Sequence, residues 1–157
     1  MSNPFGDYLA KSAGQPVLLC TGCRELGRCR LGMIEYQKVG EGRTAGRLMC
    51  PPEFQGGPKV AHGGWIAAMM DEILGFLPLR HGAFAVTKSI TVDYLKPMPV
   101  ERELACAAAV ESRADGQWII TGEITLDGVV LAKSRGTFIE RDISHFQRFE
   151  RWMGEQK

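Results

Sequence analysis

Most hydrophobic residues of the chain follow a regular spacing, but one segment is hydrophobic almost without interruption. Residues 65–77 are Trp, Ile, Ala, Met, Leu, Phe and Gly, and only Asp71 and Glu72 among them are ionisable. The length of the segment favours a helix over a strand. A helix that is hydrophobic on nearly every side is typically buried. Pro78 follows the segment, and we expect the helix to end there because proline lacks an amide hydrogen.

The remaining hydrophobic residues alternate with polar ones at a period of two, which is typical of strands with one buried face. This pattern predicts strands at residues 31–39, 43–50, 83–94, 104–113, 117–126 and 129–140. Asp115-Gly116 and Asp127-Gly128 join the last three strands. Asp-Gly favours tight hairpins because a type I′ turn needs positive φ angles, so these strands are expected to form an antiparallel meander.

The strand that begins at Ala83 has one exception in its alternation. Its hydrophobic face consists of Phe84, Val86, Ile90, Val92 and Tyr94 with Lys88 as the exception, and its polar face of Thr87, Ser89, Thr91 and Asp93. A regular strand therefore places Thr87 on the side opposite Val86 and Ile90.

Both ends of the chain add segments to this core. Helical spacing is seen near the start in Phe5, Tyr8 and Leu9, and near the end in Ile143, Phe146, Phe149 and Trp152. We predict a single domain over residues 1–157. It consists of an N-terminal helix and cysteine-containing arm (1–30), a core (31–141) and a C-terminal helix (142–157).

The order of elements predicts an α+β fold, in which one long buried helix lies against one curved antiparallel sheet. One helix covers only part of one face of such a sheet. The apolar surface that remains uncovered predicts a homo-oligomer, with a dimer as the natural expectation.

The composition is that of a packed globular domain, with 157 residues, 45% hydrophobic and 24% charged. The formal net charge of +1 gives no reason to expect a nucleic-acid or anionic-membrane partner. The longest apolar stretch, residues 104–110, is too short to span a bilayer, and no signal segment is recognised at the start. The expected localisation is cytoplasmic.

Three of the five cysteines, Cys20, Cys23 and Cys29, lie within ten residues of one another. Cys20-x2-Cys23 has the spacing of a zinc knuckle, but a structural zinc site needs four ligands. Cys29, Cys50, His62 or His81 would complete such a site only if the fold brings them together. We favour reduced thiols in an arm rich in turns, and we predict neither a metal nor a cofactor.

The sequence Gly63-Gly64 lies directly before the hydrophobic helix. The first amide groups of a helix have no partner within it, and the helix dipole adds positive charge there. Two residues without side chains leave these groups accessible, so they form a candidate oxyanion site. The alternative is that both glycines only allow a tight turn into the helix.

Asp71 and Glu72 are candidates for acid–base chemistry. A carboxylate among apolar side chains is costly unless it is paired, and its pKa should rise toward the range of a general base. The alternative is that both acids reach solvent or bind the arginine-rich arm. Gly63 lies eight residues before Asp71, which is about 12 Å along one helix. A site that uses both residues on one carbonyl therefore takes them from two different chains.

These residues resemble those of a known family. The sequence His62-Gly63-Gly64, Asp71 nine residues after the histidine, Thr87 and the run Thr91 to Pro97 are similar to the hotdog-fold acyl-CoA thioesterases. The resemblance is to the branch with phenylacetyl-CoA-type and thioesterase superfamily member enzymes, and covers about Leu31 to Glu140. It implies a hotdog fold, acyl-CoA as the substrate, and dimers joined edge to edge, often paired into tetramers, with active sites between subunits.

The resemblance also implies roles for single residues. Asp71 would be the catalytic general base or nucleophile, and the Gly63 amide would polarise the thioester carbonyl from the facing subunit. Thr87 would help to hold the attacking water, and His62 would orient the loop. Relatives often carry Asn or Gln at the position of Gly56, which here is preceded by Gln55.

Further residues are candidates for contact with the substrate. The acyl-CoA would meet Gly64, Gln55, Trp65, Glu72 and Lys96. The phosphates of coenzyme A would meet basic residues, for which the candidates are Lys88, Lys96, Arg80, Lys133 and Arg135.

Two other functions remain open at this point. The protein would be a non-catalytic acyl-CoA-binding hotdog protein if the missing amide at Gly56 matters. It would be a hotdog hydratase or dehydratase if His62 acts as the catalytic base. The sequence does not specify the acyl group.

Overall fold

A computed structural model describes residues 14–142 and 144–156. Its helices are α1 (Thr21–Arg24), α2 (Gly63–Arg80) and α3 (Ser144–Glu155), and its strands are β1 (Met33–Gly40), β2 (Arg43–Met49), β3 (Ala85–Tyr94), β4 (Glu103–Ala114), β5 (Gln117–Leu126) and β6 (Val129–Glu140). The helix predicted around Phe5, Tyr8 and Leu9 lies outside the described residues, as does Ile143. No helix in the described ranges has the length and hydropathy needed to span a membrane.

The strands form a single antiparallel sheet in the order β1-β2-β4-β5-β6-β3. The predicted order of strands and helix and the predicted α+β class are both confirmed. Asp115, Gly116, Asp127 and Gly128 all have positive φ angles, between 50° and 79°, as the two predicted hairpins require. The strand order places β1 and β3 at the two edges of the sheet, so each has one side without a strand partner within the described chain.

The long helix α2 packs against the inner face of this sheet. The residues that bury it include Met69, Met70, Ile73 and Leu74, none of which is exposed to solvent. The hydrophobic pattern of the segment thus predicted a buried helix correctly.

The expectation that α2 ends at Pro78 is wrong, because the helix continues to Arg80. Proline at this position removes only the hydrogen bond that its own amide would donate one turn earlier. The last turn is closed instead by the His81 amide, which donates to the carbonyl oxygens of Leu77 and Pro78. A proline so close to the end of a helix therefore interrupts little.

A β-bulge in β3 changes which residues face the helix. Thr87 lies opposite Phe138 on β6, whereas Ser89 lies opposite the residue just before Phe138, so Lys88 is an extra residue. The alternation therefore shifts by one at Lys88. Thr87 lies on the same face as Ile90, and the prediction that it points to the opposite side is wrong. This inner face carries Phe138, which is fully buried next to α2.

A buried tyrosine fixes the middle of α2 relative to the sheet. The Tyr36 hydroxyl forms a hydrogen bond of 2.6 Å with Thr44 Oγ1 and donates another to the carbonyl oxygen of Ile73. Burial raises the pKa of Tyr36, so the hydroxyl stays protonated and can donate. These contacts hold β1, β2 and α2 together two residues after Asp71.

The arm before β1 packs against the other side of α2. Trp65 Nε1 donates to the Leu31 carbonyl oxygen at 2.9 Å, and Arg80 donates to the Gln15 carbonyl oxygen at 2.9 Å. The arm is thus attached near both ends of the long helix.

The C-terminal helix α3 was predicted from its spacing and is present. It contacts the body of the protein through Phe146, whose ring centroid lies 5.7 Å from that of Phe84. Phe149 and Trp152 remain largely exposed.

Candidate active site

The acid of α2 that faces β3 is Asp71. The Thr87 hydroxyl donates to Asp71 Oδ1 at 2.7 Å, a contact that the bulge at Lys88 makes possible. No basic side chain of residues 14–142 and 144–156 forms an ion pair with this carboxylate. Among the described residues, the carboxylate therefore has one oxygen held by a hydroxyl group and no cation paired with it.

Glu72 lies beside Asp71 on the part of α2 that the N-terminal arm covers. Burial, and secondly the negative charge of Asp71, raise the pKa of Glu72 to about 7, while the positive charge of Arg30 opposes this shift. Burial and the charge of Glu72 also raise the pKa values of the Cys20 and Cys29 thiols. The two adjacent acids thus have different surroundings, with Asp71 held by Thr87 and Glu72 under the arm.

The first turn of α2 leaves one amide available. His62 is the N-cap residue, and its Nδ1 accepts the Gly64 amide hydrogen at 2.9 Å. The Trp65 and Ile66 amides donate to the His62 carbonyl oxygen. Among the described residues, nothing accepts the hydrogen of the Gly63 amide. The Gly63 N–H can therefore donate to a bound oxygen, whereas the Gly64 N–H predicted to meet substrate is already engaged.

Tyr94, at the end of β3, contacts this first turn. Its hydroxyl donates to the Gly63 carbonyl oxygen at 3.0 Å, and a Cβ atom built on Gly63 would lie 3.6 Å from the tyrosine ring. A cleft of about 350 Å³ adjoins the contact and is lined by Gly63, Tyr94, Lys96 and apolar side chains that include Ile66 and Met98. The helix start thus opens onto a cleft with one cation at its edge.

The two parts of the candidate site lie at different ends of one strand. Asp71 contacts Thr87, and Gly63 contacts Tyr94 seven residues further along β3. The helix and strand run in opposite directions, so these contacts lie about 12 Å apart along α2, as the spacing of Gly63 and Asp71 requires. Within one chain, the structure does not bring Gly63 and Asp71 together.

Two other candidates, Trp65 and Gln55, have local structural contacts. Trp65 is buried and bound to Leu31, so it holds the arm. Gln55 Oε1 accepts the Lys59 amide hydrogen at 2.9 Å within its own loop. The neighbouring Gly56 has no room for a side chain, because a Cβ atom there would lie 2.9 Å from His62 Cα.

The candidate cations for coenzyme A are spread over the molecule. Lys96 lines the cleft at Gly63, and Lys88 is the exposed extra residue of the bulge. Arg80 is bound to the arm, and Arg135 Nε pairs with Glu111 at 3.1 Å on the outer face of the sheet. Lys133 also lies on that outer face, in a groove of about 740 Å³. Of these five residues, Lys96 is the one beside the helix start.

The clustered cysteines do not form a metal centre with other residues in the described ranges. The Arg30 amide donates to Cys23 Sγ at 3.3 Å, and Cys23 and Cys29 are buried. No group of three or more His, Cys, Asp or Glu side chains there has a geometry that could hold a metal ion. Cys29 instead belongs to the buried hydrophobic core that also contains side chains of α2.

Sequence reasoning missed two features of the site. The bulge at Lys88 has a signal in the sequence. A lysine among the hydrophobic residues of one strand face is the pattern that a single extra residue produces, because it shifts the alternation by one. The contact between Tyr94 and Gly63 has no such signal, since it joins residues 31 positions apart.

The comparisons with known proteins agree with this geometry. Residues 58–132 match the model of the thioesterase superfamily. No curated protein matches the sequence. Among solved structures, a thioesterase superfamily protein has 25% identity and a TM-score of 0.62, with coverage of 67% of this chain and 55% of that one. The chain therefore spans about half of that protein's length.

Two further structures cover more of their own chains. A phenylacetic acid degradation-related protein from Ralstonia eutropha has 20% identity and a TM-score of 0.68, with coverage of 84% of this chain and 98% of that one. A hypothetical thioesterase from Streptococcus pneumoniae, solved with coenzyme A, has 20% identity and a TM-score of 0.64, with coverage of 69% and 88%. The same protein was solved with alanine in place of an aspartate and, separately, of a threonine sixteen positions later.

The predicted hotdog fold and the resemblance to the thioesterases are confirmed by these matches. The architecture on which they agree is a long helix wrapped by a curved antiparallel sheet, here α2 and its six strands.

The raised pKa of Glu72 predicts how stability depends on pH. The folded protein holds this proton more tightly than the unfolded chain, so the free energy of unfolding falls as pH rises from about 4.5 to about 7. Glu72→Gln removes this pH-dependent loss of stability. Between pH 4.5 and pH 8 the free energy of unfolding of the variant, relative to that of wild type, should increase by about 1–3 kcal/mol, as measured by chemical denaturation at fixed protein concentration.

The matched control is Glu150→Gln, which changes an exposed glutamate on α3. Its difference from wild type should not change with pH. A difference between Glu72→Gln and wild type that stays constant over this pH range would contradict the assignment.

Proposed function

We propose that this chain, whose residues 58–132 match the thioesterase superfamily, hydrolyses an acyl-CoA thioester to the free acid and coenzyme A. The observation that carries the proposal is the hydrogen bond of 2.7 Å from Thr87 to Asp71, on a helix that is otherwise buried. The spacing of sixteen residues between these two equals that between the aspartate and threonine replaced in the Streptococcus pneumoniae protein. This equality supports a shared function for the pair.

The proposed reaction uses Asp71 and Gly63 on opposite sides of the thioester carbonyl. Thr87 holds Asp71 Oδ1, so the second oxygen of Asp71 is free to accept a proton from water or to attack the carbonyl carbon itself. The Gly63 amide donates to the oxyanion that forms. Where Asp71 accepts the proton, the water oxygen bonds to the carbonyl carbon, the C–S bond breaks, and the departing sulfur of coenzyme A takes the proton back from Asp71. Where Asp71 attacks the carbon itself, the C–S bond breaks to leave an acyl-aspartyl anhydride, and water then hydrolyses this anhydride, releases the free acid and restores the Asp71 carboxylate, while its proton goes to the thiolate.

Two chains are needed to complete this site. The strand β3 is an edge of the sheet, and Ile90 and Thr91 lie midway between Thr87 and Tyr94. If two copies of β3 pair antiparallel about this midpoint, the Thr87 end of one strand meets the Tyr94 end of the other. Each Asp71 would then face the partner's Gly63. The protein would work as a homodimer with two equivalent sites.

Recognition of coenzyme A is proposed to begin at Lys96. This lysine lines the cleft at Gly63, where a carbonyl group bound to the Gly63 amide would be followed by the pantetheine and phosphate groups. The neighbour from Streptococcus pneumoniae was solved with coenzyme A, which supports this ligand class.

The hydratase alternative is less well supported by the geometry. His62 Nδ1 already accepts the Gly64 amide hydrogen, so the ring is used as a helix cap. A screen of short, medium, long and aromatic acyl-CoA substrates for thiol release distinguishes hydrolysis from both hydration and simple binding, because only hydrolysis frees the thiol.

Replacing Asp71 should abolish most of the activity. Asp71→Asn keeps the size of the side chain but removes its basicity, and kcat for thiol release should fall by about 100-fold or more. The control is Asp93→Asn, which changes an exposed acid on the same strand as Thr87 and should keep kcat within about twofold. Normal activity of Asp71→Asn, with the best substrate of the screen, would refute the assignment of the acid.

Two substitutions at Gly63 distinguish the role of its amide hydrogen from the role of its small size. Gly63→Pro removes the N–H at the first helical position, where proline is tolerated, and His62 already has the extended conformation that a following proline requires (φ −61°, ψ 137°). We expect kcat to fall by about 100-fold.

The matched control is Gly63→Ala, which keeps the amide and has room for its Cβ atom beside Tyr94. This variant should keep kcat within about threefold of wild type. Equal losses in both variants would show that the amide hydrogen has no role, and an intact helix is checked by circular dichroism.

A further inference from the structure

We infer that Tyr94 is a positioning residue, which holds the peptide group between Gly63 and Gly64 and thereby keeps the first turn of α2 in the geometry that leaves the Gly63 amide available. This inference rests on the proposed function, in which that amide binds the oxyanion. The Tyr94 hydroxyl donates to the Gly63 carbonyl oxygen at 3.0 Å, and its ring lies against Gly63.

A helix that starts with two glycines needs external contacts to fix its first turn. Glycine has access to more backbone conformations than any other residue, so Gly63 and Gly64 alone would leave the direction of the amide variable. The His62 carbonyl oxygen, in the peptide group that contains the Gly63 N–H, accepts from the Trp65 and Ile66 amides. The next peptide group consists of the Gly63 carbonyl and the Gly64 N–H. Its orientation depends on the contacts with Tyr94 and the His62 side chain.

The peptide group between Gly63 and Gly64 is bound at both ends. Its carbonyl oxygen accepts from Tyr94, and its amide donates to His62 Nδ1 at 2.9 Å. Hydrogen bonds arranged in a chain polarise and strengthen each other, so the bond from Tyr94 also strengthens the helix cap.

The location of Tyr94 argues against a role in stability. Within one chain the residue ends an edge strand and is 55% exposed, so its hydroxyl contributes little to the core of that chain. In the proposed dimer it would lie near the Thr87 end of the partner's β3. The effect of the hydroxyl should therefore be confined to the local geometry of the first turn.

The test is Tyr94→Phe, which keeps the ring and removes the hydroxyl. We expect kcat for thiol release to fall about three- to tenfold, the effect of one hydrogen bond, while KM and the midpoint of unfolding stay unchanged. In the Gly63→Pro background the same substitution should have no further effect, because the amide that this geometry leaves available is gone. A rise in KM at constant kcat, or an equal loss in both backgrounds, would overturn the inference.

A second measurement is independent of activity. Amide hydrogen exchange of Gly64, followed by NMR, should be several-fold faster in Tyr94→Phe than in wild type, because the peptide group is held at one end only. Unchanged exchange would overturn the inference even if kcat falls. If wild type releases no thiol from any acyl-CoA, the proposed hydrolysis fails, and the exchange of Gly64 alone decides the positioning role.

Discussion

The hydrogen bond between Thr87 and Asp71 is the interaction on which the candidate site depends. Asp71 lies on a largely buried helix but is itself partly exposed, and a polar partner stabilises its carboxylate there. Here the partner is a neutral hydroxyl, which leaves the negative charge in place and one carboxylate oxygen free. An arginine at this position would satisfy the acid but would also lower its basicity. The extra residue Lys88 is what turns Thr87 toward the helix.

The second constraint is the rise of an α-helix. Eight residues separate Gly63 from Asp71 by about 12 Å, and no side chain rearrangement shortens this distance. The strand β3 carries Tyr94 and Thr87, which contact Gly63 and Asp71, and is also an edge of the sheet. An acid and an amide that cannot meet within a chain therefore lie along the edge where a second copy would add. In this account, dimer formation and catalysis depend on the same strand.

Local patterns predicted much of the fold, and contacts between distant residues explain the failures. The strands at 117–126 and 129–140 were predicted with the observed bounds because Asp-Gly turns and regular alternation fix them. The predicted end of α2 is too early, because the hydrogen bonds that close its last turn are donated by the His81 amide, which lies beyond Pro78. Asp71 and Gly63 are predicted as site residues from their local sequence, since Asp71 lies among hydrophobic residues and Gly63 lies at the start of the hydrophobic helix. Tyr94 was not found as a site residue, since its role depends on a helix start 31 residues away.

The most direct test of the shared site is to mix two inactive variants, Asp71→Asn and Gly63→Pro. In a mixed dimer, one site carries both substitutions and the other carries neither. Random assortment at equal amounts makes about half of the dimers mixed, so about one quarter of the wild-type thiol-release activity should return. Activity that stays at the level of the two variants measured separately, although mixed dimers are shown to form, would contradict a site built from two chains.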